Sequence, residues 1–509
     1  MLSKVLSYGL DGIEGFLVTV EADLSRGLPS FDIVGLADTS VKEAKERVRS
    51  AIKNSALEYP INKVTINLAP ADTKKQRPIY DVAIAVSLLV ASGQIVFKNK
   101  EDFIFLGELS LDGSIKKING VLPILISAKQ KGHTKFIIPK ENEKEASYIA
   151  GIETYALSSL EECVKFLNGQ IGIEPIETRG YEEVKTAKKT ETDFKFVKGQ
   201  KSAKRALEIA AAGGHNVIMI GPPGSGKTLL AKAFASILPE LTFEEALEVT
   251  KIHSVAGKLS SAGIIATRPF RAPHHTSSKI ALTGGGRVAK PGEVSLAHNG
   301  VLFLDEMPEY DRSTLETLRQ PLEDGFITVS RAENTFTYPA SFTLVASMNP
   351  CPCGFYGSEK TICRCSPSQI QKYLNKLSGP LMDRIDLHIE VDSLTYDELN
   401  SKTEEENSQT IKQRVDKARQ VQLSRFTGKK IYSNSKMDVP LTKKFCALDK
   451  QGEDLLKMAF ENLNLSARAR DKILKIARTI ADLEESENIL PQHIAEAISY
   501  RSLDGKFWA

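Results

Sequence analysis

Residues 216–238 read NVIMIGPPGSGKTLLAKAFASIL, an apolar run, a glycine-rich turn and then a helical pattern. Inside it, GPPGSGKT at 221–228 fits G-x-x-x-x-G-K-[ST], with the strand before it and the helix after it that give this pattern its meaning. Gly221, Pro222, Pro223, Gly224, Ser225, Gly226, Lys227 and Thr228 are therefore the candidate nucleotide-binding residues. Backbone N–H groups from Gly224 to Lys227 are expected to cradle phosphate oxygens, because glycine lets a backbone bend tightly against an anion. Lys227 is expected to neutralise the β and γ oxygens, and Thr228 to offer its hydroxyl to Mg²⁺, a cation that prefers oxygen ligands. ATP with Mg²⁺ is the expected ligand pair.

Two more apolar runs, VLFLDE at 301–306 and FTLVASMN at 342–349, read as buried strands of a mostly parallel sheet. Asp305 and Glu306 end the first, where an open α/β sheet presents its ligand-binding edge. Asp305 is the expected Mg²⁺ partner, and Glu306 the residue that orients the attacking water. Asn349 ends the second and is placed to hold the same water, although an Asn before Pro350 is also a turn signal.

The rest of the chain sets limits on this core. At 509 residues it is long enough for several domains and needs no disulfide staples. Lys and Arg number 67 against 64 Asp and Glu, a formal net charge of +3, so any nucleic-acid contact has to be local. Hydrophobic residues at 41% and charged residues at 26% exclude disorder, collagen and a coiled-coil rod. No uncharged apolar stretch reaches the roughly 18 residues of a membrane helix. Gly9, Asp11 and Gly12 interrupt the place of a signal peptide, so no membrane partner and a cytoplasmic location are expected.

Residues 1–168 alternate strand-like runs (FLVTVEADL, SFDIVGL, KVTINLAP, KFIIPK) with helical ones, an α/β pattern. Residues 169–195 lose apolar periodicity and read as an exposed linker. The nucleotide-binding core follows at 196–395, and 396–509 is largely helical, with three amphipathic stretches beginning EDLLKMAF, ARDKILKI and PQHIAEAI. Four of the six cysteines, Cys351, Cys353, Cys363 and Cys365, fall within 15 residues. Such a cluster reads first as a structural Zn²⁺ site, although its C-x-C spacing is tighter than usual and leaves a metal-free loop or a redox pair open. Cys163 and Cys446 read as ordinary buried thiols.

The strings PFRAPHHTSS, PGEVSLAHNGVLFLDEMPE, LRQPLEDG, NPCPCG, SGPLMDRIDLHIEV and LSARARDKILKIARTIADLE occur in that order. Together they resemble the Mg-chelatase-like AAA+ ATPases of the YifB/ComM family over essentially the whole chain. The resemblance implies an α/β architecture with a Lon-protease-like N-terminal domain, an AAA+ P-loop core with a parallel sheet, and a C-terminal helical lid. It implies a hexameric ring, and for the ComM type DNA branch migration during natural transformation. By motif, Asn349 is sensor 1, Arg384 in LMDRID the arginine finger and Arg468 in LSARAR sensor 2. Internal pairing of Arg384 with Asp383 or Asp386, and a solvated face for Arg468, are the plain alternatives; Arg470 stands where the family leads one to expect an aromatic residue.

Residues 271–299 are similar to the helix-2 insert of the chelatase and MCM helicase clade, and 327–340 to its pre-sensor-1 hairpin. Arg331 on that hairpin is the candidate DNA phosphate ligand, with Lys279, Arg287 and Lys290 adding local positive charge. His274 and His275 read as structural rather than metal-binding. Ile79 and Ile124 stand near the positions of a Ser–Lys dyad and supply neither hydroxyl nor amine, so proteolysis is not expected; a displaced pair from Ser87 and Lys129 is the alternative. The expected function is an ATP-driven hexameric DNA helicase or branch-migration translocase. The alternative is a magnesium-chelatase-like protein-remodelling or metal-insertion motor working with a partner subunit.

Overall fold

The structure is a computed structural model that describes residues 1–96, 102–185, 192–286, 289–330, 335–358, 361–400, 405–429, 431–463 and 465–503. Its first unit is a seven-stranded mixed sheet. The strands are β1 (Leu2–Asp11), β2 (Glu14–Ser25), β3 (Ser30–Val34), β4 (Lys63–Ala69), β5 (Phe103–Phe105), β6 (Lys135–Pro139) and β7 (Glu153–Leu157), in the spatial order β3-β4-β2-β1-β5-β6-β7. Helices α1 (Ala44–Asn54), α2 (Asp81–Ala91) and α3 (Val121–Gln130) pack with it around one core. All four expected strands form. β1 was not among them, because Ser3 and Ser7 occupy buried positions and hide its alternation; their hydroxyls donate to the Ser87 carbonyl (2.6 Å) and the Phe105 carbonyl (2.8 Å). Ile79 and Ile124 are buried in the core, Ser87 donates to the Ile84 carbonyl, and Lys129 Nζ donates to the Ala150 carbonyl.

The second unit opens with α4 (Lys201–Gly213) and β8 (Val217–Ile220), followed by α5 (Lys227–Phe234), α6 (Phe243–Ala256), β9 (Phe270–Arg271) and β10 (Val301–Leu304). A hairpin, β11 (Phe326–Ser330) and β12 (Thr335–Pro339), leads to β13 (Thr343–Met348) and later β14 (Leu387–Glu390). Five strands make an all-parallel sheet in the order β9-β10-β13-β8-β14. The residues of β8 and β10 are all buried, as expected for a parallel sheet covered on both faces. Tyr338 on the hairpin donates to the Ala289 carbonyl of the insert at 2.7 Å. Arg331 and Arg287 lie outside the described residues.

The C-terminal region is helical: α7 (Ser408–Arg425), α8 (Lys450–Asn462), α9 (Ala467–Leu483) and α10 (Pro491–Ser499). The sequence reading missed α7 because its buried stripe, Ile411, Val415, Ala418 and Gln422, is thin and ends in an amide. Both α7 and α9 pack on α4. The first unit is fastened to α6 through Ser254, whose Oγ accepts from Gly120 N–H at 3.0 Å and donates to Glu145. The segment 169–195 is not a free tether throughout: Tyr181 donates to the Leu241 carbonyl at 3.1 Å.

The helical region contains a buried charge knot. Asp482, with a fully buried side chain, accepts from Arg425 at 2.5 and 2.8 Å, from Arg478 at 3.0 Å and from Asn434 at 2.8 Å. Removing one partner of such a set leaves charge buried without compensation. We predict that Asp482→Ala lowers stability by about 3–5 kcal/mol, read as an earlier unfolding transition of the helical region; a shift below about 1 kcal/mol would show that the knot does not hold it.

Candidate nucleotide site

The site lies where β8, β10 and β13 end together. Gly221 follows β8, Asp305 follows β10, and Asn349 follows β13, so a loop cation, two carboxylates and an amide share one sheet edge. The glycines are required by geometry. Gly226 begins α5 at φ +89°, and a Cβ on Gly221 would stand 2.1 Å from the Val391 carbonyl oxygen.

Lys227 Nζ donates to the carbonyls of Gly221 (2.7 Å) and Pro222 (2.8 Å), and to Asn349 Oδ1 (3.3 Å). Burial pushes its pKa down to about 8, against the opposing pull of Asp305 and Glu306. Thr228 Oγ1 donates to Asp305 Oδ2 at 2.9 Å. The other carboxylate oxygen accepts from Ser347 Oγ and from Glu306 N–H at 3.2 Å. Asp305 is thus fixed with one oxygen turned to the Thr228 hydroxyl, a pair of hard oxygen donors that fits Mg²⁺. Glu306 is held at φ +50°, an uncommon conformation for a non-glycine residue and one that clusters at functional sites. The sequence reading missed Ser347. Its signal was a hydroxyl within the buried run Leu344–Met348 of the strand, at the position next to Asp305 once Leu304 pairs with Ala346.

Arg384 and Arg468 are not at this edge. Arg384 precedes β14, and its carbonyl accepts from Asn216 Nδ2 at 3.0 Å, just before β8, so it stands at the edge opposite the phosphate loop. Its guanidinium pairs with Glu323, rather than with Asp383 or Asp386, and donates to the Pro380 carbonyl at 2.6 Å. Arg468 approaches the same Glu323 at 3.7 Å. Glu323 is therefore a second residue that the sequence reading missed. Asp386 is engaged elsewhere, with Lys472 at 2.6 Å and His215 at 3.4 Å, and the neighbouring Lys472 ammonium and His215 ring hold its carboxyl well below the usual range.

The four cysteine sulfurs lie within 4.8 Å of one another, the one metal-competent group of this kind among the described residues. Cys351 to Cys353 is 3.3 Å, Cys351 to Cys363 is 3.7 Å and Cys353 to Cys363 is 3.5 Å. A tetrahedral Zn²⁺ with Zn–S bonds of about 2.3 Å needs edges of about 3.8 Å. Backbone N–H groups of Arg364 and Phe355 hold the Cys353 thiol down to about 6. Cys163 and Cys446 are buried, and burial pushes both up to about 12. His274 donates to or accepts from Thr276 at 2.8 Å and lies against His275, outside any such group. No helix among the described residues is long and apolar enough to cross a membrane.

The chain matches three families of one protein: "Magnesium chelatase, subunit ChlI" at residues 193–399, "Subunit ChlI of Mg-chelatase" at 20–142 and "Magnesium chelatase, subunit ChlI C-terminal" at 405–501. It is 44% identical over 505 residues to competence protein ComM of Haemophilus influenzae, covering 99% of this chain and 98% of that protein. It is also 44% identical over 505 residues to the uncharacterized protein YifB of Escherichia coli, covering 99% and 97%. Similarity to the magnesium-chelatase 67 kDa subunit of Chlorobaculum parvum is 32% over 163 residues, 31% of this chain and 23% of that protein. With its parallel P-loop sheet and helical C-terminal region, the chain belongs to the YifB/ComM family of Mg-chelatase-like AAA+ proteins.

Proposed function

We propose that this protein is an ATP-hydrolysing AAA+ motor that works as a homo-oligomeric, hexameric ring in the cytoplasm. As a helicase or branch-migration translocase it acts on single-stranded or branched DNA in recombination or natural transformation. The observation that carries the reading is end-to-end similarity to a protein named for competence, 44% identical across 99% of this chain. The alternative, a magnesium-chelatase-like remodelling or metal-insertion motor with a partner subunit, draws on the three chelatase family matches and on a chelatase subunit whose similarity spans 31% of the chain.

In the proposed site, the N–H groups from Gly224 to Lys227 hold the ATP phosphates, and the Lys227 ammonium turns from the Gly221 and Pro222 carbonyls to the β and γ oxygens. Thr228 and Asp305 hold Mg²⁺, which supplies charge neutralisation of the transferred phosphoryl group. Glu306 orients the attacking water and Asn349 steadies it from the side. Arg384 serves a neighbouring subunit's triphosphate as the arginine finger, a role supported by its position at the edge away from its own phosphate loop, and Arg468 is the proposed sensor 2. Arg331 is the proposed DNA phosphate ligand, and one structural Zn²⁺ occupies the four-cysteine knot.

Steady-state ATP hydrolysis with and without single-stranded, forked and four-way-junction DNA tests this function. Stimulation that weakens as salt rises is expected, since phosphate contacts release counterions; a ring with basal ATPase that no DNA stimulates would sink the DNA reading. The interface role is read by mixing two inactive variants. Lys227→Ala spoils its own site and Arg384→Ala spoils its neighbour's, each lowering turnover on the order of a thousandfold. In mixed head-to-tail rings roughly a quarter of interfaces regain both groups, so activity should return, whereas a role for Arg384 in its own site gives no recovery.

Nucleotide affinity should also depend on pH. The free Lys227 has its pKa near 8, and a bound triphosphate favours the ammonium, so binding takes up a proton above that pH. The dissociation constant is expected to be flat below pH about 8 and to rise by up to about tenfold per pH unit above it. A flat profile to pH 10 would contradict this assignment.

A further inference from the structure

We propose that the metal-loaded cysteine knot is a clamp on the nucleotide site: one zinc ion held by Cys351, Cys353, Cys363 and Cys365 fixes the phosphate loop and the Asn349 end of β13 in their working positions. The inference rests on the ATPase reading above and extends it to what sets the geometry of that site.

Three observations carry it. The first is the donor set. Four sulfurs stand within 4.8 Å of one another, and the three separations of 3.3, 3.5 and 3.7 Å are too long for a disulfide and close to the edges of a single tetrahedral ion. Tyr356 N–H donates to Cys351 Sγ at 3.3 Å, the kind of contact that steadies a thiolate ligand. An ion that requires nitrogen or oxygen ligands finds none in this all-sulfur set, and a multinuclear cluster needs more room than these separations leave.

The second is that the loop has no core of its own. Among the described residues from Gly354 to Ser366 only Gly354 is buried, and Ile362 is 88% exposed. A segment that buries so little apolar surface cannot offset the entropy of being ordered, and a metal cross-link supplies what a core does not.

The third is where the ordered loop rests. The Cys351 carbonyl accepts from Gly354 N–H at 3.0 Å, closing a turn in which Gly354 has φ +85°. A Cβ on Gly354 would stand 2.4 Å from Pro223 Cδ, so the knot's backbone lies directly against the phosphate loop. On its other side the knot begins two residues after Asn349, which accepts from Lys227 Nζ. The zinc-fixed loop therefore rests on the phosphate loop that carries Lys227 and continues the strand end that carries Asn349. Misplacing catalytic groups by about 1 Å is enough to cost on the order of a hundredfold in rate.

The test uses the full-length protein. Metal analysis is expected to find one zinc per chain, and Co²⁺ substitution to give the absorption of a tetrahedral thiolate centre. Cys363→Ser/Cys365→Ser, altered on the half of the knot away from Asn349, should lose zinc and weaken binding of a fluorescent ATP analogue on the order of tenfold or more. Gly354→Ala keeps every thiol and should retain zinc while weakening nucleotide binding, because its methyl group forces the knot off Pro223; it decides the matter if the cysteine variant does not fold. Four freely reactive thiols with no bound metal in the native protein would overturn the site. Zinc-free protein, or zinc-loaded Gly354→Ala, with wild-type nucleotide affinity and turnover would overturn the clamp. Zinc-loaded wild type that binds no nucleotide would instead overturn the ATPase reading, and the clamp with it, while the metal site stands.

Discussion

The register of one central strand sets the rest of the nucleotide site. β13 lies between β8 and β10, pairing Ile220 with Met348 on one side and Leu304 with Ala346 on the other. That double pairing brings Gly221, Asp305 and Asn349 to a common edge, and puts the Ser347 hydroxyl beside the Asp305 carboxylate. A slip of one residue in β13 would turn Ser347 away and present an apolar side chain to the half-buried Asp305 carboxylate. Burial on both faces opposes such a slip, because it would exchange the side chains facing two separate cores.

Within that frame the site holds opposing charges at some cost. Lys227 is taken out of water beside Asp305 and Glu306, yet desolvation outweighs their attraction and lowers its pKa. Its ammonium bonds to loop carbonyls, a set of neutral acceptors that an incoming phosphate can replace with charged ones. Glu306 adds backbone strain at the same edge. Stability is given up where a ligand with several negative charges and a divalent cation would restore it.

Much of this was legible in the sequence because it is local. The phosphate loop, the carboxylates after VLFL and the Asn before Pro350 each sit at the end of a short apolar run, and a strand end can be read without knowing its partner. What escaped depends on pairing. Ser347 gains meaning only from its neighbour across the sheet, and β1 hides two serines whose hydroxyls are satisfied by carbonyls 84 and 98 residues away. Helix α7 reads as polar because its buried stripe faces α4, nearly two hundred residues earlier in the chain. The cysteines were legible as a group and as a zinc site, although their tight C-x-C spacing left a metal-free loop or a redox pair open. The intervening loop folds back so that Cys363 approaches both Cys351 and Cys353, which spacing alone does not reveal.

Glu323 gives the opposite edge of the sheet its logic. Two arginines that resemble an arginine finger and a sensor converge on this one half-exposed carboxylate. An ion pair with an exposed partner contributes only about 0–1 kcal/mol, since water already solvates much of the carboxylate. Left unpaired, the Arg384 guanidinium, at 12% side-chain exposure, would lose the carboxylate it pairs with in a poorly hydrated place. Glu323 therefore keeps the arginines ordered in a single chain without holding them tightly. In the proposed ring, a neighbour's triphosphate offers more charge and more acceptor oxygens than one carboxylate. Under that proposal the exchange of Glu323 for the triphosphate would be downhill, and would couple completion of the active site to the docking of one subunit on the next.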